Sequence, residues 1–173
     1  LGPSDGSLVT KFGGISGGGD DSVELDGTQV AVGQSTLFGV DTFNGTITGY
    51  DLETGEQRWQ VTDFETDRVG EVSFVVVDGI PVGTDETSVF GIDPQAEEVA
   101  FRFDVETFGN GLAGSDTRAF FVNLANPASV QAVDVGQGTT DWNSEIRVSG
   151  STAPALAGDR LLVPTRESVT LLD

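Results

Sequence analysis

The chain has no cysteine, no histidine and no methionine, and its single lysine is Lys11. Without cysteine there is no disulfide framework, no thiol nucleophile and no thiolate metal site. Without histidine the commonest general base and the commonest metal ligand are both missing. A chain without Met that starts at Leu1 reads as a mature product or a fragment. No apolar run approaches the ~20 residues that a membrane-spanning helix needs, and no signal peptide is present. Positive charge is scarce as well: 8 Lys and Arg stand against 28 Asp and Glu, for a net charge of −20. Nucleic acid and an anionic membrane surface would both repel such a chain.

What is there is enough for a fold. The 173 residues are 37% hydrophobic, which suits one domain with a real core and not a disordered segment. The acidic residues are scattered through the chain instead of gathered in a tail. A folded, evenly acidic, nearly lysine-free surface resembles proteins of extreme halophiles, haloarchaea in particular. Dense carboxylates repel one another at low salt and are screened when ions are abundant.

A period near forty runs through the sequence. Asp51 is followed eight residues on by Trp59, Asp93 by Phe101, and Asp134 by Trp142. Asp173 stands where a fourth turn would begin, so the four Asp are 42, 41 and 39 residues apart. Four residues before each Asp is a β-branched residue: Ile47, Val89, Val130 and Val169. Two before are Gly49, Gly91, Ala132 and Leu171, and one before are Tyr50, Ile92, Val133 and Leu172. Both faces are apolar, so these strands are expected to be buried on both sides. Turn dipeptides such as Asn44-Gly45, Thr54-Gly55, Asp78-Gly79 and Gly158-Asp159 separate further short strand patterns, and no segment has a helical period.

Several short strands per ~40 residues mark a β-propeller blade. The expectation is a single all-β propeller domain or propeller segment over 1–173. Its four-stranded antiparallel blades fall near 28–62, 71–106, 111–148 and 151–173. The last would be completed by residues 5–12, "DGSLVTKF", which would remove an open edge. A cut from a longer ring is the alternative. In the first turn Gly55 is expected to supply positive φ, Asp51 and Thr54 to bond the backbone, and Trp59 to bridge to a neighbouring blade over a small Gly49.

"TGYDLETGEQRW" resembles the PQQ-like (pyrroloquinoline quinone) repeat, in which an Asp is followed by Thr-Gly and then Trp. "VFGIDPQAEEVAFRF" is similar without the Thr-Gly and with Phe for Trp. "VQAVDVGQGTTDW" keeps the Asp and the Trp, and "SVTLLD" keeps the first half. Asp51, Thr54, Gly55, Trp59, Asp93, Phe101, Asp134, Trp142 and Asp173 are therefore structural repeat residues. The resemblance implies a PQQ-like propeller, familiar with about seven or eight blades.

The resemblance also implies two classes of function. Quinoprotein dehydrogenases hold PQQ and Ca²⁺ on the axis. Other members, among them scaffold lipoproteins of outer-membrane assembly, carry no cofactor and bind proteins. Ca²⁺ needs six to eight oxygen ligands and the oxidation needs a base. The alcohol-oxidising type stacks PQQ on a disulfide and the sugar-oxidising type uses a His base, and this chain has neither residue. The expectation is thus no catalytic residue and no cofactor: a scaffold for a protein or a cell-surface glycan. It would act outside the cell of a halophile, its precursor anchored to the membrane or not. The alternatives are a structural subunit of a homo-oligomeric assembly or filament and a fragment of a PQQ- and Ca²⁺-dependent dehydrogenase. "GGISGGGDDS" reads as a loop in which Asp20 and Asp21 are weak cation candidates. Asn44-Gly45-Thr46 is an N-glycosylation sequon as well as a hairpin turn. Asp85, Glu86, Glu97, Glu98 and Asp116 read as a solvated face.

Overall fold

The computed structural model describes residues 30–33, 35–41, 46–62, 73–84, 88–105, 108–125, 127–145, 153–165 and 168–172. Among them there are fifteen strands and no helix. The first sheet consists of β1 (Val30–Gly33), β2 (Thr36–Asp41), β3 (Thr46–Asp51) and β4 (Gln57–Val61). The second holds β5 (Ser73–Val77), β6 (Ile80–Thr84), β7 (Ser88–Asp93) and β8 (Glu98–Asp104). The third holds β9 (Phe108–Gly114), β10 (Arg118–Asn123), β11 (Ser129–Asp134) and β12 (Thr139–Glu145). The fourth has three strands, β13 (Ala155–Ala157), β14 (Arg160–Pro164) and β15 (Val169–Leu172).

Each sheet is an antiparallel meander in chain order. Short Gly-containing turns allow nothing longer: Asp78-Gly79 joins β5 to β6, with φ of 49° and 79°, as a two-residue hairpin needs. The first strands of successive sheets stand beside one another, β1 against β5, β5 against β9 and β9 against β13. That is the arrangement of propeller blades stacked around an axis. The segment 5–12 lies outside the described residues, so the fourth sheet is described with β15 as its outer edge.

Three apolar clusters fill the spaces between sheets. Trp59, Phe38 and Ile47 of the first sheet meet Phe90 and Ile92 of the second. Phe101 and Val89 of the second meet Phe121 and Val133 of the third. Val130 and Ala132 of the third, with Trp142 packed against them, meet Leu161 and Val163 of the fourth. The third strands of the second and third sheets thus face a neighbouring sheet on both sides, and β3 and β7 are buried along all but their last residue. β15 departs from this expectation. Val169 and Leu171 are 57% and 54% exposed, because no described residue packs over the face they share.

The motif aromatic has a fixed seat. Gly49 pairs with Trp59, Gly91 with Phe101 and Ala132 with Trp142, and directly after each pair the register shifts. A Cβ on Gly49 would lie 2.3 Å from the Trp59 ring, and one on Gly91 would lie 2.2 Å from the Phe101 ring. The ring lies flat on backbone that only glycine leaves bare. Opposite Ala132 the ring is held off, and Trp142 is half-buried where Trp59 is buried.

Candidate functional site

The turns between third and fourth strands share one construction. The Asp51 carboxylate Oδ1 accepts the backbone N–H of Glu53 at 2.8 Å and of Thr54 at 2.9 Å. The Asp51 carbonyl accepts the Gly55 N–H at 2.8 Å, and the Thr54 hydroxyl accepts the Glu56 N–H at 3.2 Å. Asp93 Oδ1 accepts the N–H of Gln95 at 2.7 Å and of Ala96 at 3.1 Å. Asp134 Oδ1 accepts the N–H of Gln137 at 2.9 Å. Four residues after the Asp the backbone takes positive φ each time: 75° at Gly55, 57° at Glu97 and 61° at Gly138. Glu97 does so with a side chain, a strained conformation that glycine avoids.

Asp51 also holds Arg58, whose Nε and Nη2 both point at Oδ2, the former at 3.1 Å. The Thr54 backbone bond, the Arg58 guanidinium and the Glu53 backbone bond together draw the Asp51 carboxyl down to about 2. Arg58 Nη1 further donates to the hydroxyls of Ser35 at 3.3 Å and Thr36 at 3.2 Å. Arg58 can do this because it is the extra residue where the register shifts between Gly49 and Tyr50. A bulge of this kind re-aims one side chain. The same bulge position holds Ala100 in the second sheet and Asp141 in the third. Asp141 accepts from Arg118 Nε at 2.6 Å, the reverse charge arrangement to that in the first sheet.

The turns and bulges therefore gather on one face of the blades, and between the first two sheets that face opens into a cleft of about 710 Å³. Arg58, Ser35 and Thr36 form one wall, and Asp78 and the Asp93–Gln95 turn the other. Phe38, Trp59 and Ile80 lie along it. Phe38 and Trp59 are buried, at 3% and 6% exposure, so little of either ring is open to a ligand. Its chemistry is one paired guanidinium, two hydroxyls and two carboxylates around an apolar floor. Among the described residues no three His, Cys, Asp or Glu side chains converge as a metal site would require.

The expected repeat residues Asp51, Thr54, Gly55, Trp59, Asp93, Phe101, Asp134 and Trp142 all sit in these turns or on the strands that leave them. Asp93 and Trp59 come together in the cleft, while Phe101 and Trp142 lie in the next two inter-sheet clusters. Asp20, Asp21, Asn44 and Asp173 lie outside the described residues. Sequence reasoning missed Arg58, Asp78, Ser35 and Thr36. Strict alternation along β4 gives no sign that Arg58 turns back over the sheet.

The family described as outer membrane protein assembly factor BamB matches residues 19–173. No curated protein sequence matches the chain. Among solved structures it is similar to BamB from Moraxella catarrhalis, with a TM-score of 0.63 and 15% identity over 84% of this chain and 49% of that one. The computationally designed Ika4 protein has a TM-score of 0.62 and 15% identity, covering 83% of this chain and 88% of that one. The Pan2 WD40 domain from Neurospora crassa has a TM-score of 0.62 and 12% identity, covering 83% and 48%. At such identities the likeness is one of fold. The chain spans about half the length of the BamB and Pan2 chains.

Proposed function

Because the chain belongs to the family described as outer membrane protein assembly factor BamB, a family of PQQ-like repeat propellers, we propose that it is a non-catalytic scaffold that binds a protein partner through its turn-bearing face. The observation that carries this reading is the cleft between the first two sheets. It has an apolar floor, a fixed Arg58 and acidic groups on the far wall, but no converging ligand or base set among the described residues. An extended peptide segment suits it. An apolar side chain would meet Phe38 and Ile80, and a basic one would meet Asp78. At a net charge of −20 the whole surface favours a partner with basic residues.

A cell-surface glycan is the weaker ligand. Sugars stack on open aromatic faces, and the two rings in the cleft are buried. The setting proposed is the outer side of the cell in a halophile, with or without a membrane anchor in the precursor. The acidic, lysine-poor composition supports it. Stability that rises from about 0.1 to about 2 M KCl would agree with that setting, since screening is what such a surface needs.

The deciding experiment compares affinity capture by the native chain and by Asp78→Arg in molar salt, with cross-linking. A protein retained by the first and lost by the second supports the reading; loss of nothing sinks it. Titration with PQQ and Ca²⁺, followed by Trp59 and Trp142 fluorescence and by quinone absorbance, tests the enzymatic alternative. Saturable, Ca²⁺-dependent binding would replace the scaffold with a dehydrogenase. Polymers whose size grows with concentration would favour a structural subunit.

A further inference from the structure

The first three sheets use Oδ1 of the motif Asp alike and Oδ2 differently. In the first sheet Oδ1 of Asp51 holds the turn, and Oδ2 receives Nε and Nη2 of Arg58. In the third sheet Oδ1 of Asp134 holds the turn. Its Oδ2 accepts Nε2 of Gln137 at 3.4 Å, and Arg118 stands opposite Asp134 in the strand pairing. In the second sheet Oδ1 of Asp93 holds the turn in the same way, and Oδ2 has no donor among the described residues. The residue that would supply one is Ala100. It is the extra residue of the bulge, where Arg58 and Asp141 stand in the neighbouring sheets, and it is exposed. Thr36, whose hydroxyl takes Nη1 of Arg58, is paired with Asp51. Continuing the register of Val82 with Gly91 sets half-buried Ile80 in the corresponding place opposite Asp93. The second sheet thus keeps the acceptor of an arginine seat and lacks the arginine.

We infer that the protein partner proposed above places an arginine side chain in the cleft between the first two sheets, with its guanidinium on Oδ2 of Asp93 and its stem along Ile80. The partner then supplies from outside the bond that Arg58 supplies to Asp51 from within the chain. The inference rests on the scaffold reading and names the residue type which that reading leaves open.

Charge complementarity selects the occupant. The charged residues lining the cleft are Arg58, Asp78 and Asp93. Arg58 is committed to Asp51, so among the described residues Asp78 and Asp93 stand without a matching cation. Arginine suits the seat better than lysine. Its planar fork presents several N–H donors to one carboxylate oxygen, as Arg58 does beside the same kind of turn. A guanidinium is also weakly hydrated and lies readily on an apolar surface such as Ile80, whereas an ammonium group gives up its water at a higher cost. Exposed Asp78, on the same wall, adds a second negative charge that draws the side chain in.

The probe is the capped peptide acetyl-Gly-Arg-Gly-amide, titrated into the isotope-labelled chain and followed by amide NMR in ~0.5 M KCl, where diffuse attraction to an acidic surface is largely screened. Saturable shifts are expected at the amides of Gln95 and Ala96, which Oδ1 of Asp93 holds. The amides of Glu53 and Thr54 should stay put, because Arg58 already fills the seat on Asp51. Citrulline in place of the probe's arginine should weaken binding at least ~10-fold, since a charge-assisted bond becomes a neutral one. Two variants close the seat. Ala100→Arg supplies a guanidinium from within, at a bulge position where the first sheet already carries Arg58. Asp93→Asn keeps an Oδ1 acceptor for the turn and removes the second carboxylate oxygen. Either variant, once shown to be folded, should abolish the shifts. No saturable shift at Gln95 and Ala96, equal shifts at Glu53 and Thr54, equal binding of the citrulline peptide, or full binding by both variants would overturn the inference. The two readings fail separately. A silent Asp93 turn, with a protein still lost on Asp78→Arg, removes the arginine seat and leaves the scaffold; a filled seat, with no protein retained by the native chain, does the reverse.

Discussion

Substituting Gly49 by alanine adds one methyl group, and the structure says where it goes. The new Cβ would lie 2.3 Å from Cε2 of Trp59 and 2.5 Å from its Nε1. Ordinary contact is ~3.5–4.0 Å, so the ring must retreat by more than ~1 Å. It has little room, because its far side packs on Phe38, with ring centroids 5.7 Å apart, and on the second sheet. Overpacking of this kind costs ~1–3 kcal/mol, and the rigid ring and buried seat put the expected loss at about 2 kcal/mol. With a urea m-value of ~2 kcal/mol/M, the midpoint should fall by about 1 M. The ring's outcome is visible in the third sheet, where Ala132 faces Trp142 and that indole is half-buried. In a Trp142→Phe background, Trp59 emission of the Gly49→Ala variant should shift to the red. Ala132→Gly should leave stability within ~1 kcal/mol, the ordinary cost of glycine in a strand. A Gly49→Ala midpoint within ~0.2 M of the parent, with unchanged emission, would refute the claim that the ring rests on bare backbone.

Three further outcomes are expected. The Asp51 carboxyl, at about 2, lies below its unfolded value of ~3.9. Its contribution is therefore complete above pH ~4 and lost as pH falls towards ~2, so Asp51→Asn should flatten that part of the acid-unfolding curve, and an unchanged curve would count against the turn geometry. Glu97→Gly should raise stability by ~0.5–1 kcal/mol in thermal unfolding, since it relieves a positive φ of 57°. The Thr46 hydroxyl is buried without a hydrogen-bond partner, so Thr46→Val should hold or raise the unfolding midpoint, by up to ~1 kcal/mol.

The blade architecture was legible because one signal repeated. An Asp closing a β-branched strand, with an aromatic eight residues on, recurs three times, and each instance builds the same Asx-type turn. Gly55 and Gly138 stand at one offset from their Asp, and both carry the positive φ that the offset requires. Glu97 was not legible in that role. Nothing in a glutamate announces a left-handed backbone; its N–H donates to the Asp93 carbonyl at 2.9 Å, and the Asp93 side chain holds the N–H groups of Gln95 and Ala96 just before it. The candidate site was hidden for a related reason. Reading a strand by alternation assumes an unbroken register, and the register breaks in all three four-stranded pairings at the residue before the aromatic. That break is what brings Arg58 over Asp51 and Thr36 and sets Asp141 against Arg118. It follows that the blades share one skeleton but present different chemistry at one position: a cation, a methyl group and an anion. The repeat residues are spent on the skeleton, and in the function proposed above recognition would fall to the bulge residues and the second-strand starts beside them. Selectivity for a partner should therefore change on exchanging Arg58 with Asp141-type chemistry while stability holds, because an exposed ion pair of this sort contributes only ~0.2–1 kcal/mol.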